Sequence, residues 1–118
     1  MRTKYERIQS YTTKDNSIIK ELMHPNIHGN HNQSLAEATV PVSSTTLLHM
    51  HMKTEELYHI TEGKGIVVLG DERFAVTAGD TVCIMPGTPH QITNTGFLPL
   101  RILCCCSPAY SHDDTDLL

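Results

Sequence analysis

The feature that most constrains this chain is His49-Met50-His51, followed shortly by Glu55-Glu56. Side chains alternate along an extended strand with a period of 2, so His49 and His51 project from one face. A carboxylate carried on the next strand of a hairpin closes on the same point. Imidazole nitrogens and a carboxylate oxygen aimed at one spot suit a divalent transition metal. Read alone, an H-x-H pair is more often two polar histidines on a solvated strand face. A second segment downstream shifts that balance.

That segment is Gly79-Asp80-Thr81-Val82-Cys83-Ile84-Met85-Pro86-Gly87-Thr88-Pro89-His90, ending in Gln91-Ile92-Thr93-Asn94. Together the two stretches resemble the cupin superfamily, whose motifs are written G-x5-H-x-H-x(3,4)-E-x6-G and G-x5-P-x-G-x2-H-x3-N. The first maps onto His49, His51, Glu56 and Gly63, and its spacing to Gly63 selects Glu56 over Glu55. The second maps onto Gly79, Gly87, His90 and Asn94. Ser43 stands where the leading Gly is expected and Met85 where the Pro is expected, so local turn geometry departs from the pattern while no ligand position does. The short stretch between the motifs, Lys64 to Ala78, is similar to that of small single-domain bacterial cupins. The resemblance implies an all-β fold, a double-stranded β-helix (jelly-roll barrel), with His49, His51, Glu56 and His90 converging inside it on one divalent metal ion.

At 118 residues, the chain is expected to be one domain with a sizeable core. We expect an N-terminal arm over 1–15, a core barrel over 34–106 and a tail over 107–118. A formal charge of -4 argues against nucleic acid, which needs a concentrated basic face. No run of about 18 apolar residues is present, so no membrane partner is expected. With no apolar stretch behind the N-terminus to make a signal peptide, a cytoplasmic location is the default.

The cysteines, Cys83 and the run Cys104-Cys105-Cys106, do not read as a disulfide framework, because adjacent cysteines pair only with strain. The run reads as small core hydrophobes rather than a soft metal site, since alternation keeps all three from sharing a ligand set. His24, His28 and His31 fall in a loop rich in Asn, Gly and Pro. A solvated loop is preferred there to a second metal site, because no carboxylate or Cys stands beside them.

Short strands separated by turn signals at intervals of about ten residues indicate a sandwich or barrel. Strands are expected at 17–22, 34–40, 45–51, 55–61, 66–69, 72–77, 81–85, 90–92 and 99–106, and no helix is expected. Asp15-Asn16-Ser17 is a turn signal. Alternation puts Glu56, Tyr58 and Ile60 inward, with Leu57 and His59 outward. It also puts Leu47, His49 and His51 on one face, and Leu100, Ile102, Cys104 and Cys106 inside. The outward apolar set Leu48, Met50, Leu57 and Leu103 predicts a homodimer.

Three imidazoles and one carboxylate form a set of intermediate hardness that suits Fe, Mn, Ni, Co or Zn. Four protein ligands on an octahedral ion leave two positions for water, a bidentate substrate, or substrate with dioxygen. The resemblance implies a range of activities, including dioxygenases, isomerases, decarboxylases, lyases and polyketide cyclases, as well as non-catalytic binding modules. The interior expected from Leu47, Tyr58, Ile60, Phe74, Ile92 and Ile102 is mostly apolar and carries no Lys or Arg. We therefore expect a metal-dependent enzyme of dioxygenase, isomerase or cyclase type acting on a small, largely uncharged oxygenated molecule such as an enol, phenol or diketone. Tyr58 is the candidate polar helper and Glu56 the group that orients an incoming ligand. The alternative is a non-catalytic module that binds a metal and a small molecule.

Overall fold

The computed structural model describes residues 1–118. The chain forms a jelly roll of two packed antiparallel sheets. Its strands are β1 (Tyr11–Thr12), β2 (Ile18–Met23), β3 (Ser34–Val40), β4 (His49–His51), β5 (Glu55–Glu62), β6 (Lys64–Leu69), β7 (Glu72–Thr77), β8 (Thr81–Ile84), β9 (His90–Asn94), β10 (Leu100–Ser107) and β11 (Thr115–Leu117). One sheet runs β1-β2-β3-β10-β5-β8 and the other β11-β4-β9-β6-β7. Two short helical turns, Tyr5–Arg7 and α1 (Pro25–His28), correct the expectation of no helix. In α1, Pro25 presets φ for the first turn and His24 caps it by accepting from Asn26 N.

Burial alternates along the strands as the period of 2 requires. On β3, Ser34, Ala36, Ala38 and Val40 face in; on β10, Leu100, Ile102, Cys104 and Cys106 do so. The two strands are direct neighbours, with Leu100 opposite Val40 and Cys106 opposite Ser34. Between the sheets, Ile60, Val67, Ile84, Ile92, Leu100 and Ile102 are almost fully excluded from water. At about 1.5–3 kcal/mol for each fully buried aliphatic side chain, this layer is a large contribution to stability.

One parity expectation fails. Leu47 is 42% exposed, and Thr46 takes the inward place instead. Thr46 exchanges two bonds with Ile92: its N donates to Ile92 O, and its Oγ1 accepts from Ile92 N. Leu47 N then turns aside to donate to Asp15 O at 2.8 Å, which interrupts pairing with β9 until His49 meets His90. The strand expected over 45–51 is therefore continuous only from His49.

Two motif positions show their reason in the backbone. Gly63 has φ +86°, and a Cβ there would meet Pro99 O at 2.9 Å. Asn94 donates to Val40 O and Leu98 O and accepts from Gly96 N, fixing the turn that leads into β10. The terminal segments are docked. β1 pairs with β2, β11 pairs with β4, and Lys14 Nζ donates to His112 O and Thr115 O, clasping arm to tail. The outward apolar residues divide between the layers: Met50 lies on β4 with Leu48 just before it, while Leu57 and Leu103 sit on β5 and β10 of the other sheet.

Candidate metal centre

β4 and β9 lie side by side with His49 opposite His90, and His51 follows on the same face of β4. Nitrogen atoms of His49, His51 and His90 all lie within 4.8 Å of one another, and all three residues are buried. The opposing sheet supplies Glu56 from β5. Its Oε1 lies 3.2 Å from His51 Nε2 and 3.6 Å from His90 Nε2. Glu55 points to solvent. The structure thus brings His49, His51, Glu56 and His90 to one point.

The far side of each imidazole shows which nitrogen is available. His49 Nδ1 is 2.8 Å from Leu47 O, and His90 Nδ1 is 2.9 Å from Thr88 O. A carbonyl only accepts, so both rings carry their hydrogen on Nδ1 and leave the Nε2 lone pair free. His51 reaches the same state through the C-terminal tail. Thr115 Oγ1 donates to Ser111 O and therefore accepts from His51 Nδ1, 3.0 Å away. Three Nε2 lone pairs and a carboxylate oxygen then face one another with no hydrogen between them. Glu56 Oε1 and His90 Nε2 are buried without a hydrogen-bond partner. Orphaned acceptors of this kind are costly, and a shared cation would satisfy them. The residues fit a divalent metal ion.

Electrostatics agree. Burial pushes the Glu56 carboxyl up, but in the metal-free site hydrogen bonds and charge from the cationic forms of His51 and His90 outweigh it and hold the group at about 2, so it stays ionised. Burial, followed by repulsion from His90, lowers His49, against a smaller opposing pull from Asp15. At neutral pH the set is therefore an ionised carboxylate facing a neutral imidazole, the forms that bind metals.

A cavity of about 40 Å³ adjoins the cluster, room for roughly three or four waters. Its wall departs from expectation. Tyr58 lines it, whereas Leu47, Ile60, Phe74, Ile92 and Ile102 do not. Ile60, Ile92 and Ile102 fill the space between the sheets, and Phe74 packs partly buried against that core. The cavity lies instead toward β2, β3 and β10, where Ala36, Ala38 and Cys104 leave room. No Lys or Arg lines it, as the sequence indicates. Burial, and then the nearby Glu56 charge, raise the Tyr58 phenol well above its usual range.

Several lining residues escape sequence reasoning. Asp15, read there only as a turn residue, places Oδ2 3.5 Å from His49 Nε2. Glu21, Cys106, Tyr110 and Thr115 also line the cavity. None carries a local signal, apart from the inward parity of Cys106. The His24 loop is not a second centre. His24 accepts from Asn26 N on Nδ1 and donates from Nε2 to Tyr110 O, so it has no lone pair left, and His31 is exposed.

Residues 36–106 match the family described as Cupin domain. An uncharacterised protein of Methanocaldococcus jannaschii is 56% identical over 118 residues, covering 100% of this chain and 94% of that protein. An oxalate-binding protein of Thermotoga maritima is 32% identical over 86 residues, covering 73% of this chain and 67% of its own length. Among solved structures, the oxalate decarboxylase of Lactobacillus farciminis in complex with formate superposes with a TM-score of 0.82 at 22% identity, covering 96% of this chain and 34% of that one. That likeness is one of fold.

Proposed function

The chain belongs to the cupin-domain family, and on that premise we propose that His49, His51, Glu56 and His90 hold one divalent transition-metal ion that serves an enzyme acting on a small oxygenated molecule. One observation carries the reading: three Nε2 lone pairs and Glu56 Oε1 converge while each Nδ1 is engaged elsewhere. Of the metals such donors accept, Fe, Mn, Ni, Co and Zn are all compatible. Once bound, the ion supplies Lewis-acid polarisation or electron transfer to an oxygen ligand.

The chain's own side chains orient the ligand and supply a proton donor. Glu56 is held by Cys106 on Oε2, which leaves Oε1 facing the histidines, and so orients an incoming ligand. Tyr58 stands over His90 in a T-shaped contact at 6.1 Å and presents a phenol that stays protonated. That phenol is the candidate donor to a ligand oxygen. Dioxygenase, isomerase and cyclase chemistry all suit an open site with a protonated donor beside it. A second reading, a non-catalytic binding module, is favoured by the name of the Thermotoga maritima relative. The protein is further proposed to act in the cytoplasm as a homodimer that buries Leu57 and Leu103, which sedimentation at tens of micromolar, about the range for a standard interface, would test.

The experiment is metal analysis of protein purified without a histidine tag, followed by oxygen-uptake and isomerisation assays on enols, catechols and diketones. Near-stoichiometric metal in the wild type, and its loss in His90→Ala with the barrel still folded, is the expected result. Unfolding by chelator alone would make the metal structural, and full metal in His90→Ala would end the reading.

A further inference from the structure

The cavity wall contributed by the β1–β2 turn and β2 carries acceptors. Asp15 is 9% exposed and sits on the β1–β2 turn. Its Oδ1 takes three hydrogen bonds, from Thr13 Oγ1 at 2.6 Å, Ser17 N at 2.9 Å and Ser17 Oγ at 2.6 Å. That leaves Oδ2 facing the site, 3.5 Å from a His49 nitrogen whose ring hydrogen is committed to Leu47 O. Glu21 on β2 is 5% exposed and lines the same cavity. Tyr11 donates to its Oε1 at 2.7 Å, while Oε2 is buried with no partner. A buried carboxylate oxygen left unpaired costs free energy that a ligand hydrogen-bond donor restores. With no Lys or Arg on the wall, nothing there receives a second anionic group.

We propose that Asp15 and Glu21 form the ligand-recognising wall of the site, and that the ligand is a small neutral polyhydroxylated compound which places an oxygen pair on the metal and donates a further hydroxyl to these carboxylates. This rests on the metal-site reading above and narrows it to a substrate class. The small cavity beside the cluster favours a compound of a few carbons. An α-hydroxyketone or small polyol fits on both counts, its chelating end at the histidines and its free hydroxyl toward β2.

Calorimetry on the full chain with its own bound metal, quantified beforehand, tests this with two probes. Dihydroxyacetone and hydroxyacetone share the chelating α-hydroxyketone and differ only in one free hydroxyl. The wild type should prefer dihydroxyacetone by about tenfold, the effect of one hydrogen bond to a charged acceptor. Glu21→Gln, which replaces the orphaned Oε2, should lose most of that preference, and the double variant with Asp15→Asn the remainder, both keeping the metal and the affinity for hydroxyacetone. Equal affinity for the two ketones, binding of neither, or a preference that survives both substitutions would overturn the proposal, and the orphan oxygen would then be paired by buried water. Loss of the ion from either variant overturns it too, because hydroxyl recognition leaves the ion in place. A wild type that binds no metal removes the metal-site reading itself. A metal-loaded wild type with no hydroxyl preference removes only this inference.

Discussion

Cys106 Sγ lies 3.3 Å from Glu56 Oε2 and donates its hydrogen to it, the two residues standing directly opposite each other on neighbouring strands β10 and β5. Burial, then the charge of Glu56, raise the thiol far above its usual range, so it remains a donor at any working pH. The carboxylate is thereby fixed on the oxygen that does not face the histidines.

Removing that donor should loosen the metal site while sparing the fold. Cys106→Ala is expected to weaken metal binding by about tenfold, the lower end of what outer-shell partners contribute. Cys106→Ser, which keeps a donor, should recover most of the affinity. Competition with a chelator of known affinity measures both. Equal affinity in the wild type and the Ala variant would show that the thiol is only packing.

Thr115 tests the tail's share in the site. Its hydroxyl is the acceptor that keeps the His51 hydrogen on Nδ1. Thr115→Val removes the acceptor and leaves the buried His51 Nδ1 hydrogen unpaired, so metal affinity should fall by about tenfold or more, beside a loss of about 1–3 kcal/mol in the stability of the metal-free protein. Thr115→Ser should behave as the wild type.

The metal-free protein should lose stability as pH falls below about 6.5. His49 is held below its ordinary 6.5 in the folded protein, so in that range the unfolded chain binds more protons than the native one. Stability is full above this window and declines beneath it, because folding must then keep the imidazole neutral. Glu56 contributes in a separate window: its carboxyl drops from 4.5 unfolded to about 2 folded, so that stabilisation holds above about 4.5 and is lost toward 2. Melting curves of chelator-treated protein from neutral pH downward should show the first decline, and His49→Gln should remove it. A wild-type Tm that is flat between pH 7 and 5 would contradict the assignment.

Ser43 adopts φ +64°, a left-handed conformation that strains a residue carrying a Cβ, at the place where the family pattern has glycine. Ser43→Gly should stabilise the protein by up to about 1 kcal/mol, which for a chain of this size raises Tm by about 4 °C. A lower Tm would show that the Ser43 side chain contributes more than its backbone costs.

Much of the site was legible because its signals are local. Motif spacing to Gly63 selects Glu56 over Glu55, and alternation then sets Glu56 inward with Glu55 outward and puts His49 beside His51 on one face. The expected bounds of β3 and β7 coincide with those observed, since turn residues flank them on both sides. Motif spacing brings in His90, which pairs with His49 across β4 and β9. Leu47 escapes the same logic because one long-range bond, from its N to Asp15 O, breaks the alternation that the sequence displays.

What the sequence determined by itself was the layer that repeats with a period of 2, its strands and inward faces, with motif spacing adding the convergence of His49, His51, Glu56 and His90. Tertiary structure decided everything that depends on which distant strands become neighbours. Thr115 meets His51 across 64 positions, and Cys106 meets Glu56 across 50. Asp15 and Glu21 reach the site only because β2 joins the sheet that also holds β10 and β5. The physical reason is that alternation fixes which face a side chain takes, while the order of strands in a sheet fixes what it meets there, and that order comes from packing the two sheets around one core.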